Sequence, residues 1–161
     1  MEEVIKVGIA DFKLCRTPNK ITTIGLGSCV GIVLYNQISD FCGMVHIMLP
    51  SSKEITNNVQ RAKFADTGII DLIQELSKQG IFPGTLRAKI AGGATMFQFA
   101  GGSHLGSIGV RNVQSTKEVL AAHKIPIVAE DTGLNYGRTI IFDSVTKELI
   151  VRSAGKPDKI I

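Results

Sequence analysis

Thr23-Ile24-Gly25-Leu26-Gly27-Ser28-Cys29 leads into Val30-Gly31-Ile32-Val33-Leu34-Tyr35, and after Asn36-Gln37-Ile38-Ser39-Asp40 the chain continues Phe41-Cys42-Gly43-Met44-Val45-His46-Ile47-Met48-Leu49-Pro50. Two apolar runs rich in β-branched and aromatic residues flank a short polar break, which is a β-hairpin signal. The connection is two residues or four, both common lengths. A loop centred between Gln37 and Ile38 sets Tyr35 opposite Asp40, Leu34 opposite Phe41, and Cys29 opposite His46. Directly opposed residues share a face, with Cβ atoms roughly 4.5–5.5 Å apart. On the other face Val30, Ile32 and Leu34 lie beside Phe41, Val45 and Ile47, a coherent apolar surface. A slip of one residue would send the thiol and the imidazole to opposite faces.

A thiol beside an imidazole is chemically suggestive. The imidazole takes the thiol proton and leaves a nucleophilic thiolate. Gly25 and Gly27 allow a tight turn and close approach of a ligand to the backbone before Cys29. Backbone N–H groups at that turn could hold an oxyanion. Thr23, by its hydroxyl or carbonyl, could orient the imidazole. The residue pattern also admits a bland reading. A cysteine in an apolar strand is commonly a small hydrophobe, a histidine there a satisfied core residue, and Thr a good strand former.

At these residues the chain resembles the CheD family, the chemoreceptor glutamine deamidases of chemotaxis. Gly25-Leu26-Gly27-Ser28-Cys29 and His46-Ile47-Met48-Leu49-Pro50 carry the resemblance. It continues through Phe64-Ala65-Asp66-Thr67 and the glycine-rich Ala88-Lys89-Ile90-Ala91-Gly92-Gly93-Ala94-Thr95-Met96-Phe97. Ile108-Gly109-Val110-Arg111-Asn112 and Ala129-Glu130-Asp131-Thr132-Gly133 complete it in order. The resemblance implies a catalytic set of Cys29, His46 and Thr23. It implies as partners the cytoplasmic helical bundle of methyl-accepting chemotaxis receptors and the CheC phosphatase. Phe97 is the implied contact for CheC, although Met96 and Phe97 read equally well as core residues. The family's fold is layered α/β, similar to the catalytic domains of deamidating toxins.

The rest of the chain bounds the possibilities. Its 161 residues suit one domain, 1–161, with a real core. The N-terminus lacks a signal-peptide plan, and no apolar run approaches the roughly 20 residues of a membrane span, so a cytoplasmic protein without membrane insertion is expected. Three cysteines, with no CxxC or Cys/His spacing, argue against a disulfide framework or structural zinc. No cofactor or metal is expected. The +4 charge is dispersed and shows no basic stripe interleaved with aromatics, which argues against nucleic acid.

In order, Val4 to Ala10 reads as a strand, Asp11 to Lys20 as a connector containing Pro18, and Ile21 to Ile24 as a strand. Ser51 to Asn58 is loop-like. Gln60 to Gln79 reads as a helix, with Ala62, Ala65, Ile69, Leu72, Ile73 and Leu76 on one face and Gly80 as its C-terminal cap. Leu86 to Ala91 is a strand. Gly92 to Gly106 lacks the spacing of a phosphate loop and reads as a site wall or docking surface. Ile108 to His123 is a second helix, on which Asn112 either holds a loop polar group or meets solvent. Ile125 to Glu130 is a strand, and Thr139 to Phe142 with Glu148 to Arg152 forms a terminal hairpin. The expected fold is α/β, a single-domain layered sandwich with a mixed, largely antiparallel sheet and two principal helices.

Three functions compete. The first is protein-glutamine deamidation, with glutamate methyl-ester hydrolysis as a related acyl transfer. The second is a non-catalytic docking regulator of a CheC-like phospho-CheY phosphatase. The third is another cysteine hydrolase, such as a peptidase.

Overall fold

The computed structural model of the chain describes residues 2–54, 60–96 and 107–161. Strand β4 (Val30–Tyr35) is its centre, and every residue of it is buried. Strand β5 (Phe41–Ile47) pairs antiparallel on one side of β4, and β6 (Arg87–Gly92) pairs antiparallel on the other. Strand β2 (Asp11–Arg16) extends this sheet beyond β5, and β7 (Ile127–Thr132) extends it beyond β6 in parallel. A second sheet runs β1 (Val4–Lys6), β3 (Lys20–Leu26), β8 (Arg138–Asp143), β9 (Leu149–Arg152) and β10 (Lys159–Ile160). Each sheet holds one parallel pair among antiparallel ones. The α/β class and the two principal helices are as expected, but the strands divide between two sheets instead of joining one.

The period of two along β4 explains the layering. Val30, Ile32 and Leu34 face one core, with Val45, Ile47, Ala88 and Ile90 from the neighbouring strands. Helix α1 (Ala65–Lys78) closes that core with Ile69, Leu72, Ile73 and Leu76, and α2 (Ile108–Ala122) adds Leu120 and the partly buried Val113. Val33 and Tyr35 face the second core, where Ile21, Leu26, Ile140, Phe142, Leu149 and Val151 arrive from the other sheet. The order of layers is therefore helices, sheet, sheet.

Several local expectations need correction. The hairpin register pairs Val30 with Ile47, Gly31 with His46 and Leu34 with Gly43, two residues from the expected alignment. The cause is the loop: the Asn36 side chain accepts from the Ile38 and Ser39 N–H groups at 3.2 and 2.6 Å, and so builds a five-residue connection. A shift of two preserves every facing, so the apolar surface stands. Asp11–Arg16 is a strand, not a connector, because it finds an edge on β5. The helix expected from Gln60 begins at Ala65. Phe64 is extended (φ −113°, ψ 141°) and bridges Leu49, with a short 3-10 turn at Arg61–Lys63 before it. Its C-terminus closes as expected: Gly80 N–H donates to Ser77 O and Ile81 N–H to Leu76 O. Among the described residues, no helix is long and apolar enough to cross a membrane.

Candidate active site

The site lies where β3 hands the chain to β4. Two contacts secure the connecting turn on the first residues after β6: Gly93 N–H donates to Cys29 O at 2.8 Å, and Ala94 N–H to Gly27 O at 2.9 Å. Gly92 has φ +112°, and a Cβ there would stand 2.2 Å from Cys29 O. Only glycine tolerates both that backbone conformation and that approach. The glycine-rich segment after β6 thus serves as a seat for the Cys29 backbone. Met96, which is partly exposed, lies over Gly27 at 3.3 Å from where a Cβ would be.

His46 comes from β5 and is fully buried between the sheets. Its Nδ1 meets Thr23 Oγ1 of β3 at 2.7 Å. The Thr23 hydroxyl also donates to Val7 O at 2.8 Å. A hydroxyl has one proton to give. With that proton on Val7 O, Thr23 Oγ1 must accept from His46, so the network assigns the proton to Nδ1. Nε2 then carries the lone pair, and it has no hydrogen-bond partner among the described residues. Burial pushes the His46 pKa down to about 4, so the ring is neutral at ordinary pH.

Cys29 is partly buried and packs against the inter-sheet core. Burial pushes its thiol up, offset in part by its own backbone N–H, so the resting pair is neutral thiol and neutral imidazole. In the observed register Gly31 takes the place opposite His46. Cys29 therefore sits diagonally from the imidazole on the same face, a relation that spans roughly 7–8 Å in regular sheet. Thiol and Nε2 share a face without a resting hydrogen bond.

Gly31 explains how Thr23 reaches across. A Cβ on Gly31 would stand 2.7 Å from Ile140 Cδ1 and 3.6 Å from Thr23 Cγ2. The missing side chain lets the second sheet close on β4 directly opposite His46.

One further side chain converges here. Asn112, fully buried on α2, donates its Nδ2 protons to Ser28 O and Met48 O, both at 2.9 Å. Of its two expected settings, the loop polar group is the one found. Of the other expected site residues, Thr23 and His46 meet, Cys29 lies on their face, and Phe97 falls outside the described residues. Cys15 and Cys42 are opposed across β2 and β5, buried and free. Among the described residues no group of three His, Cys, Asp or Glu side chains converges to hold a metal ion.

Fold and site together define an α/β protein that brings a thiol, an imidazole and a threonine hydroxyl to one end of two packed sheets. The model of the CheD family, described as chemotactic sensory transduction, matches residues 48–153. Relatives cover the remainder. A probable chemoreceptor glutamine deamidase CheD of Lachnoclostridium phytofermentans is 55% identical, over 99% of this chain and 99% of its own. Proteins of the same description from Syntrophomonas wolfei and Caldanaerobacter subterraneus are 49% and 54% identical, the first over 100% of both chains, the second over 99% of this chain and 98% of its own. The chain belongs to the CheD family.

Proposed function

We propose that this chain hydrolyses glutamine side-chain amides on chemoreceptors in the cytoplasm, with Cys29 as nucleophile, His46 as base and Thr23 as the group that orients the base. The observation that carries this reading is the Val7–Thr23–His46 relay. It fixes the proton on Nδ1 and leaves Nε2 as a lone pair without a partner among the described residues, on the face that bears Cys29. The names of the full-length relatives support the substrate class.

The steps follow from these groups. Nε2 takes the Cys29 proton as the thiolate attacks the amide carbon, and the carbonyl π pair moves to oxygen. Collapse of that intermediate restores the carbonyl and expels ammonia, which leaves with the proton from Nε2. Nε2 then takes a proton from water, the hydroxide adds to the thioester, and collapse releases the glutamate side chain as the Cys29 thiolate leaves and takes the proton back from Nε2. Imidazolium formed in the first step is stabilised by Thr23 Oγ1, which accepts from Nδ1 throughout. A glutamate methyl ester would follow the same route with methanol leaving.

The test is mass spectrometry of a receptor cytoplasmic fragment incubated with wild type, Cys29→Ala and His46→Ala. Replacement of –NH₂ by –OH adds about one mass unit per site. Wild type should give that gain, and the folded variants should not. Unchanged glutamines with wild type, or equal activity in Cys29→Ala, would overturn the assignment. Chain cleavage in place of ammonia release would indicate a peptidase.

A second reading has its own observation. Met96 and Leu134 are apolar and exposed, Met96 lying over Gly27 in the turn before Cys29 and Leu134 O bonded to the N–H of the neighbouring Thr95 at 2.8 Å. An apolar rim of this kind suits a protein partner, here the CheC phosphatase named by the family resemblance, with Phe97 as the proposed contact. Binding of CheC that survives Cys29→Ala but not Phe97→Ala would support a docking role alongside catalysis.

A further inference from the structure

The peptide on each side of Cys29 is held at its carbonyl. Asn112 Nδ2 donates to Ser28 O, and Gly93 N–H donates to Cys29 O. A trans peptide is planar, with its C=O and N–H pointing opposite ways. Pinning Ser28 O toward α2 therefore turns the Cys29 N–H away from α2. Among the described residues no carbonyl takes that N–H. It lies on the side of the thiol, because Cys29 packs against the inter-sheet core, on the opposite side of the sheet from the core that the helices close. A free N–H beside the attacking sulfur is where an acyl-transfer site needs a donor for developing oxyanion charge.

The other proton of Asn112 does related work. It goes to Met48 O, at the end of the strand that carries His46. One amide thus ties the turn bearing the thiol to the strand bearing the imidazole. Its own Oδ1 is buried without a partner among the described residues, and an unmet buried acceptor costs stability. Both protons of the amide are used while its acceptor has no partner among the described residues, which points to positioning as its role.

We propose that Asn112 is a positioning residue for deamidation: it aims the Cys29 N–H at the oxygen of the substrate amide. This rests on the reading of Cys29 as nucleophile. Asn112→Leu keeps the shape and removes both donors. Two rates separate its effects. Deamidation of a receptor fragment develops an oxyanion, whereas alkylation of Cys29 by iodoacetamide, a displacement at saturated carbon, does not.

The expected result is a kcat for ammonia release lower by about 10- to 100-fold, below the full cost of deleting an oxyanion donor, with KM and the alkylation rate within about twofold of wild type. An unchanged kcat would overturn the proposal. So would an alkylation rate that falls in parallel with kcat, because Asn112 would then only keep the turn folded. Should Asn112→Leu melt below the assay temperature, Asn112→Ser, too short to reach both carbonyls, gives the same comparison. Failure of the underlying reading looks different: wild type itself releases no ammonia, or Cys29→Ala still does, and both assignments fall together.

Discussion

Thr23 and His46 belong to different sheets, yet their side chains meet at 2.7 Å in the buried space between them. The contact defines the chemistry of the imidazole, because Thr23 has already given its proton to Val7 O. Threonine is well suited here: its methyl packs in the core while its hydroxyl bonds both ways.

Thr23→Val keeps the volume and removes the hydroxyl. Val7 O and His46 Nδ1–H are then left buried without partners, a loss of about 1–3 kcal/mol. The ring also loses the group that fixes its tautomer, so kcat should fall at least about tenfold, within the range general-base catalysis contributes. Thr23→Ser should retain most of both. Denaturant midpoints and ammonia-release kinetics on the two variants check this, and equal behaviour of valine and serine would remove Thr23 from the mechanism.

Gly31 sets the sheet spacing that makes this contact. Gly31→Ala places a methyl 2.7 Å from Ile140 Cδ1, so the sheets must part or Ile140 must turn. Overpacking of this kind costs about 1–3 kcal/mol. Activity should fall with it, as Thr23 withdraws from His46. The Nδ1–H proton resonance of His46, protected in wild type, reports the separation directly.

The three thiols should differ in reactivity. Cys15 and Cys42 are buried, and the Cys42 thiol is held far above its usual value by its hydrogen bond with Cys15 and by burial. Cys29 is partly exposed, with a thiol raised by burial. Brief alkylation of the native protein should therefore modify Cys29 alone, at a rate that climbs toward alkaline pH as the thiolate forms. Peptide mapping by mass spectrometry reads the site, and label on Cys15 or Cys42 before unfolding would contradict the burial.

Much of this was legible in the residues. The facing of the hairpin survives any even slip, so Cys29 and His46 could be placed on one side of the sheet without the correct register. The register itself depends on Asn36, whose side chain closes the loop from within, and polarity alone does not reveal that. Strand β2 looked like a connector because Pro18 follows it and its partner is thirty residues on. Helix α1 starts late because Phe64 is held extended by Leu49, a contact no helical period encodes. Asn112 stood in a recognisable motif, but a polar residue on a helix reads the same whether buried or solvated. The division into two sheets was beyond reach for a similar reason: strands that pair across the chain carry no local mark of their partner.

The pH dependence of stability follows from His46. Its pKa falls from 6.5 in the unfolded chain to about 4 in the fold, because burial disfavours the charged ring. Between those values the unfolded chain binds the extra proton, so stability rises with pH there. The contribution is complete above about pH 6.5 and is lost as pH falls toward 4, amounting to roughly 3 kcal/mol over the whole span. Carboxylates titrate in the lower part of that window, so the informative interval is pH 5 to 6.5. Denaturant midpoints should decline through it in wild type and stay nearly level in His46→Gln, which carries no titrating ring. Parallel curves for the two proteins would mean that His46 is solvated in the fold, and the assignment of Nε2 as a buried base would fail with it.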